Sequence, residues 1–523
     1  MTTTAASPDN PSSDYRAMLP FWEMVDALLG GSETIRDGGE TYLPKFPNES
    51  QADYDYRLAN SKFTNLYADI VSNLAAKPFA EKLTIDADAS ARFAQLAENI
   101  DGRGNNLHVF ASDLFFGGIN YAIDWILVDH TKVPLGLNLG AERRLGARPY
   151  WVRIPAKRML AVYTGTIAGN EEVVHARVRE DYTERKGFEE VAVQRIRIFD
   201  RAPIVSDEGQ VVGYAPATFE VLEKRTTAQG VSSWAVVDEG AITIGVIPLV
   251  PFITGRRIDS SWRLTPPMKD AAHLQVEHYQ QETKLKCAAD RTAFPLLAAE
   301  GVDPATDVAG KPLPISISPG SVVYAPMHGD SGNHGEWNFK EPSATSLKFL
   351  ADQIATTEQQ MRELGRQPLT ATSGITVVSA AYAGQKASSA VQAWAWGLKD
   401  ALEQALVLTG MWLKDTRTPS VKVFTDFALE IGDDKGPETL TKMRDGGDLS
   451  QETLWTEMKR RNILSADFDP VEERDRLIEE MPGEGDEGDL GAAVTTGAAA
   501  EPDFDAAPEP QDEPDAADER DAA

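Results

Sequence analysis

Apolar residues recur at helical spacing in three long stretches in the middle of the chain. The first lies between Pro266-Pro267 and Pro295 and reads MKDAAHLQVEHYQQETKLKCAADRTAF. A proline pair suits a first helical turn. The second follows Pro342, with Ser343 as its expected N-cap. Its residues Leu347, Leu350, Ile354, Thr357, Met361 and Leu364 step by three and four, and Gly365 should stop it. The third runs from about Lys386 to Leu413 with the stripe Val391, Trp394, Leu398, Ala401, Ala405, Leu408 and Trp412. At about 1.5 Å per residue the first and third are each roughly 40 Å long. Between the first two, Pro295 to Pro342 is rich in proline and glycine, with short β-like runs at Pro314-Ile-Ser-Ile-Ser and Ser321-Val-Val-Tyr-Ala. That pattern predicts a small module inserted between two helices. Between the last two, Arg366 to Gly384 reads RQPLTATSGITVVSAAYAG, small, β-branched and nearly uncharged. A loop of that length without helical pattern inside a compact domain is usually functional or mobile.

The flanks carry a second pattern. Residues 1–13 are Thr, Ser, Pro and Asn rich and read as a disordered arm. A short amphipathic helix is expected over Phe21 to Leu29, ending at Gly30-Gly31. A stronger one is expected over Asp53 to Ala76, with Tyr56, Ala59, Phe63, Leu66, Ile70 and Leu74 on one face. Another is expected from Asn105 to Phe116, broken by Gly117-Gly118. The apolar run from Asn120 to Asp129 predicts a buried strand. From Tyr150 to Phe252 strand-like runs alternate with turn residues: WVRIP, MLAVYTG, VVHARVRE, VAVQRIRIFD, ATFEVLEKR, SSWAVVDEG and IPLVPF. Helices, then a sheet, then helices again predict an α+β fold. The third long helix should return to complete its core. Thr418 to Leu429 is β-like, and Gly436 to Pro482 is a small helical unit with a capped segment from Ser450 and a third helix after Asp469-Pro470. Beyond Gly483 the chain is Ala, Pro, Asp and Glu, which cannot bury enough apolar surface to order itself.

Composition narrows the function. The 523 residues suffice for two to four structural units, and a hydrophobic content of 42% supports a real core. The single cysteine, Cys287, excludes a disulfide framework and a Cys-based zinc site. No signal peptide and no membrane span are expected, since the most apolar long window, Leu402 to Leu413, is short and carries Glu403 and Gln404. The formal net charge is −30, so the chain repels DNA at long range. That argues against a DNA-gripping regulator or nuclease. It does not argue against a channel through which DNA slides without sticking.

The enzymatic patterns are weak. Gly329-Asp-Ser-Gly resembles a protease nucleophile loop but is followed by Asn333, and it lies in a short insert rather than a two-barrel fold. His273 and His278 are five apart on a helix and diverge, so they cannot share a metal; a surface or subunit-interface face is the expected place for them. His328, Asp330 and His334 lack a third strong ligand nearby. The glycine pairs form no phosphate-binding loop. Catalytic, cofactor and metal sites are therefore expected to be absent, and the chain is not expected to be an enzyme. The first long helix carries Gln275, Glu277, His278, Gln280, Gln281, Glu282, Lys284 and Lys286, leaving a thin apolar stripe. Such a face suits packing beside copies of itself around a water-filled channel.

The order helix, small inserted module, helix, small-residue loop and long helix resembles the centre of tailed-bacteriophage portal proteins, or head-to-tail connectors. Ile247-Pro-Leu-Val-Pro-Phe is similar to the strand that leads into portal stems. WEMVDALLGG and YLPKFPNES, within Trp22 to Ser50, resemble the start of one portal-like family. The resemblance covers roughly residues 14–480. It implies a wing body over 14–262, stem helices over 263–294 and 343–365, and a clip over 295–342. It further implies a tunnel loop over 366–385, a long wing helix and return strand over 386–435, and a helical crown over 436–482, with an acidic disordered tail over 483–523. The function implied is a homo-oligomeric ring of about a dozen copies at a capsid vertex, assembled in the host cytoplasm and carried in the virion. Double-stranded DNA would pass through it. The implied partners are the terminase large subunit, capsid and scaffold proteins, and a head-completion adaptor, with no membrane. Arg366 and Lys386, at the ends of the loop, are the DNA-facing candidates. A minor capsid protein or adaptor without a DNA channel is the alternative.

Overall fold

The run expected as a buried strand, Asn120 to Asp129, becomes the centre of the fold. Ile123–His130 is the middle strand of a three-stranded antiparallel sheet, between Leu249–Ile253 and Pro149–Pro155. Its residues are buried from Ile123 through Val128 because the strand has a core on each face. Ile126 and Val128 point into one cluster with Phe110, Phe115 and Leu402. Trp125 and Leu127 point into another with Tyr15, Trp22 and Leu160. A strand covered on both sides is apolar on both faces; the exception is the buried Asp124, which pairs with Arg153 Nε at 2.6 Å. The structure is a computed structural model and describes residues 7–86, 89–133, 139–226, 229–230, 232–292, 296–300, 311, 327–328, 333–334, 336–340, 344–366, 390–425, 435–460, 463–465 and 468–480.

The second core is roofed by a five-stranded antiparallel sheet in the order Ser232–Ala241, Thr218–Thr226, Arg195–Asp200, Asn170–Arg179, Met159–Ile167. Each strand overlaps one of the expected runs, and four of the five extend beyond it by one to three residues. The Ala390–Leu413 helix returns to the three-stranded sheet as expected. Leu398, Leu402 and Leu406 pack in the first core, and the Trp151 indole donates to Thr409 Oγ1 at 2.9 Å. Val421–Lys422 then pairs with Thr84–Ile85.

Several expectations are corrected. The N-terminal arm is shorter than 1–13: Arg177 donates to the Pro8 carbonyl and Trp234 to Ser7 Oγ, which lays residues 7–12 on the large sheet. The first helix begins at Ser13 rather than Phe21, because the Ser12 hydroxyl accepts from Tyr15 N. The helix expected over 53–76 is two helices, Gln51–Ala59 and Leu66–Ala76, the second capped by Asn65. Gly117-Gly118 does not break a helix but lies inside Leu107–Tyr121. A Cβ at Gly117 would stand 2.0 Å from the buried Asp124 carboxylate, and one at Gly118 would stand 2.3 Å from the Phe252 ring. The glycines there let helix and sheet approach closely.

The chain divides into two compact units, residues 1–429 and 430–523. In the second unit the helices Lys435–Asp445, Gln451–Arg460 and Pro470–Glu480 form where the pattern and caps predict. Ser450 Oγ accepts from Thr453 N, and Asp469 Oδ1 accepts from Val471 N. Trp455 meets Phe468 edge to face. Residues 481–523, where the acidic tail was expected, lie outside the described residues.

Candidate functional site: the paired long helices

The first two long helices are Lys269–Thr292 and Ala344–Arg366. They pack antiparallel, since His278 meets Glu358 and Gln281 meets Thr357. The pairing continues past their ends. Leu296–Glu300 and Glu336–Lys340 form an antiparallel ladder running from Leu296↔Lys340 to Glu300↔Glu336. The insert is therefore closed at its base by paired strands. Met327–His328 pairs with Asn333–His334 further in, and Asp330 lies outside the described residues. So do the two β-like runs at 314–318 and 321–325.

The second helix obeys its stripe: Ile354, Thr357 and Met361 are buried, with Leu347, Leu350 and Leu364 half-buried. The first does not behave as its polarity predicted. Gln275, His278, Gln281, Glu282 and Thr283 are buried within the chain. The reading of this helix as one whose polar residues face neighbouring copies is corrected for those positions, and His278 is not a surface residue. Exposed along it are Asp270, His273, Glu277 and Lys284.

The cause is the break in the 51–76 helical region. Between Asn60 and Asn65 the backbone leaves the helix and needs partners. The first long helix supplies them. Glu282 accepts from Thr64 N and Thr64 Oγ1, each at 2.8 Å, and from Lys62 Nζ at 2.9 Å. Gln275 bridges the break, accepting from Tyr67 N at 2.9 Å and donating to the Thr64 carbonyl at 2.9 Å. Tyr279 donates to Ser61 Oγ at 3.0 Å, and Gln280 to the Tyr42 carbonyl at 2.8 Å. Burial alone would raise the Glu282 carboxyl; the bonds from Lys62 and Thr64 outweigh it and hold the group below the usual range. Against the second helix, His278 Nε2 lies 3.4 Å from Glu358 Oε1. Its Nδ1 is buried, 3.7 Å from Glu282 Oε2, without a hydrogen bond. This seam fastens the hairpin to the body. It holds its groups by mutual bonding and presents no group of metal ligands among the described residues.

Of the two DNA-facing candidates, Arg366 is the last residue of the Ala344–Arg366 helix, one position beyond the expected stop at Gly365. Lys386 and the loop at 367–389 lie outside the described residues. The seam residues were missed because polar side chains at helical spacing read as solvent-facing. The available signal was the cluster Asn60-Ser-Lys-Phe-Thr-Asn65, whose turn composition marks a helix break.

A family model described as a domain of unknown function, DUF4055, matches residues 267–413, the span of the three long helices and their insert. No curated protein sequence matches the chain. Among solved structures, the chain is similar to one in the neck of an empty gene transfer agent particle computed with C6 symmetry. The identity is 12% and the TM-score 0.36, covering 73% of this chain and 87% of that one. A chain in the neck of the native particle, computed with C12 symmetry, gives 12% and 0.37, with 75% and 88% covered. A chain in the virion of the native particle gives 11% and 0.34, with 86% and 98% covered.

Proposed function

We propose that this chain is the subunit of a phage portal, a ring of about a dozen copies at one capsid vertex through which double-stranded DNA is packaged, retained and ejected. The observation that carries the reading is the hairpin. Two long antiparallel helices are fastened to an α+β body by a buried polar seam and continue into an insert closed by paired strands. A third long helix then returns to the body core. The role is structural rather than catalytic. In such a ring the insert at 295–342 would meet the terminase large subunit and later the head-completion adaptor, and the body would meet capsid and scaffold proteins. An acidic chain of net charge −30 keeps DNA from adhering to the channel wall. Arg366 and Lys386, once per subunit, would add circles of positive charge that touch phosphates weakly.

Light scattering and negative-stain imaging of the purified full chain test this. The expected result is a particle many times the 57.0 kDa subunit mass with a central hole. A monodisperse monomer at every salt concentration, with scaffold protein present, would overturn it.

A further inference from the structure

The seam that fastens the hairpin has a histidine at its centre. The His278 side chain is 0% exposed, and each of its ring nitrogens faces a carboxylate. Nδ1 lies 3.7 Å from Glu282 Oε2, one turn further along the same helix. Nε2 lies 3.4 Å from Glu358 Oε1 on the second helix. Nδ1 makes no hydrogen bond, and the Nε2 contact is at the long limit of one.

The chemistry of the ring explains the loose fit. Glu282 already accepts from Thr64 N, Thr64 Oγ1 and Lys62 Nζ, which hold it in its charged form. An ionised carboxylate only accepts hydrogen bonds, while a neutral imidazole has one N–H and one bare nitrogen. Whichever tautomer the ring takes, one of the two carboxylates meets no donor on it. The imidazolium alone carries an N–H for each. Charged groups reach the ring's surroundings from every element of the seam. Glu282 comes from its own helix, Glu358 and Arg362 from the second helix, and Lys62 from the break at 60–65. Lys62 and Arg362 are 59% and 66% exposed, so solvent screens them, whereas the histidine is shielded from it. These two cations do not stand in for the missing donor. The other polar link across the helices, from Thr357 Oγ1 to Gln281 Oε1 at 2.9 Å, carries no charge.

We propose that His278 is a proton-operated clasp. With its second proton the ring donates to Glu282 and Glu358 together and ties both long helices to the 60–65 break. Without it, one of those ties is open. One proton enters from solvent as the clasp closes and returns to solvent as it opens. The closed clasp therefore holds one proton more than the open one, and closure weakens as pH rises. Histidine ordinarily changes charge between about pH 5 and pH 8, so the hairpin is held more tightly at the acid end of that range. The inference concerns a single subunit and does not rest on the ring reading.

Hydrogen exchange of the full chain, with rates corrected for the intrinsic effect of pH, tests it. From about pH 8 to about pH 6, amide protection across residues 276–284 and 354–361 should rise about fivefold in the wild type. In His278→Gln it should not change, because glutamine keeps a donor for one carboxylate but takes up no proton. Glu358→Gln, at a half-buried position, decides the matter should His278→Gln fail to fold, and its rise should fall below about twofold. Protection independent of pH in the wild type would overturn the clasp. An undiminished rise in the variants would place the titrating group elsewhere and overturn it too. Protection lowered equally at both pH values in His278→Gln, with the rise kept, would leave His278 a packing residue only.

Discussion

At the scale of single residues, the ion pair of Glu49 and Arg57 shows how a short stretch is held without secondary structure. Arg57, buried on the Gln51–Ala59 helix, donates to both Glu49 oxygens at 2.8 and 2.7 Å and to the Pro44 carbonyl, and it stacks 4.2 Å over the Phe46 ring. The extended link from Tyr42 to Pro47 is thereby closed onto the helix that follows it. The Arg57 hydrogen bonds hold the Glu49 carboxyl at about 2, below its ordinary 4.5. A carboxyl with a lowered folded value stabilises the protein fully above its unfolded value and loses that contribution as pH falls toward the folded one. Glu49→Gln should therefore cost about 1–3 kcal/mol at neutral pH. The gap from wild type should close between pH 4.5 and about 2. Urea unfolding at several pH values measures it, and a gap that does not change with pH would show that the charge is not its source.

At the scale of elements, the paired long helices depend on a neighbour that is not a regular element. Glu282, Gln275 and Tyr279 are spent on the 60–65 break, not on other copies. Glu282→Leu strands the Thr64 amide and hydroxyl, while the exposed Lys62 ammonium turns to water, which should cost about 1–3 kcal/mol. Lys284→Ala, at an exposed position on the same helix, should stay within about 0.5 kcal/mol of wild type. Thermal unfolding of the two variants compares them directly. If Glu282→Leu altered assembly while leaving subunit stability untouched, the residue would belong to an interface after all.

At the scale of the whole molecule, the charge of the chain and the position of its few relevant cations bear on what passes through a ring. If the chain forms the proposed portal ring with Lys386 facing its channel, Lys386→Ala should leave assembly intact and change the DNA retained per particle, because a circle of weak phosphate contacts would act on the nucleic acid and not on the subunits. DNA per particle equal to wild type at both low and high salt would remove Lys386 from the channel. The retention difference should shrink as salt rises, since counterion release sets the strength of such contacts.

The sequence by itself determined the elements whose signal is local. The stripes from Leu347 to Leu364 and from Val391 to Trp412, the main strands of the β region, the cap at Ser450 and the helix after Asp469-Pro470 all depend on residues a few positions apart, and all appear. The tertiary structure alone decided what polar and small residues mean. Gln275 and Glu282 are buried because the backbone more than two hundred positions earlier has broken and needs donors and acceptors. Gly117-Gly118 stays helical because Asp124 and Phe252 must come close. Asp124 excepted, seven positions from Gly117, the deciding partners are distant in sequence, and periodicity records only which face of an element is apolar, not what the other face will meet.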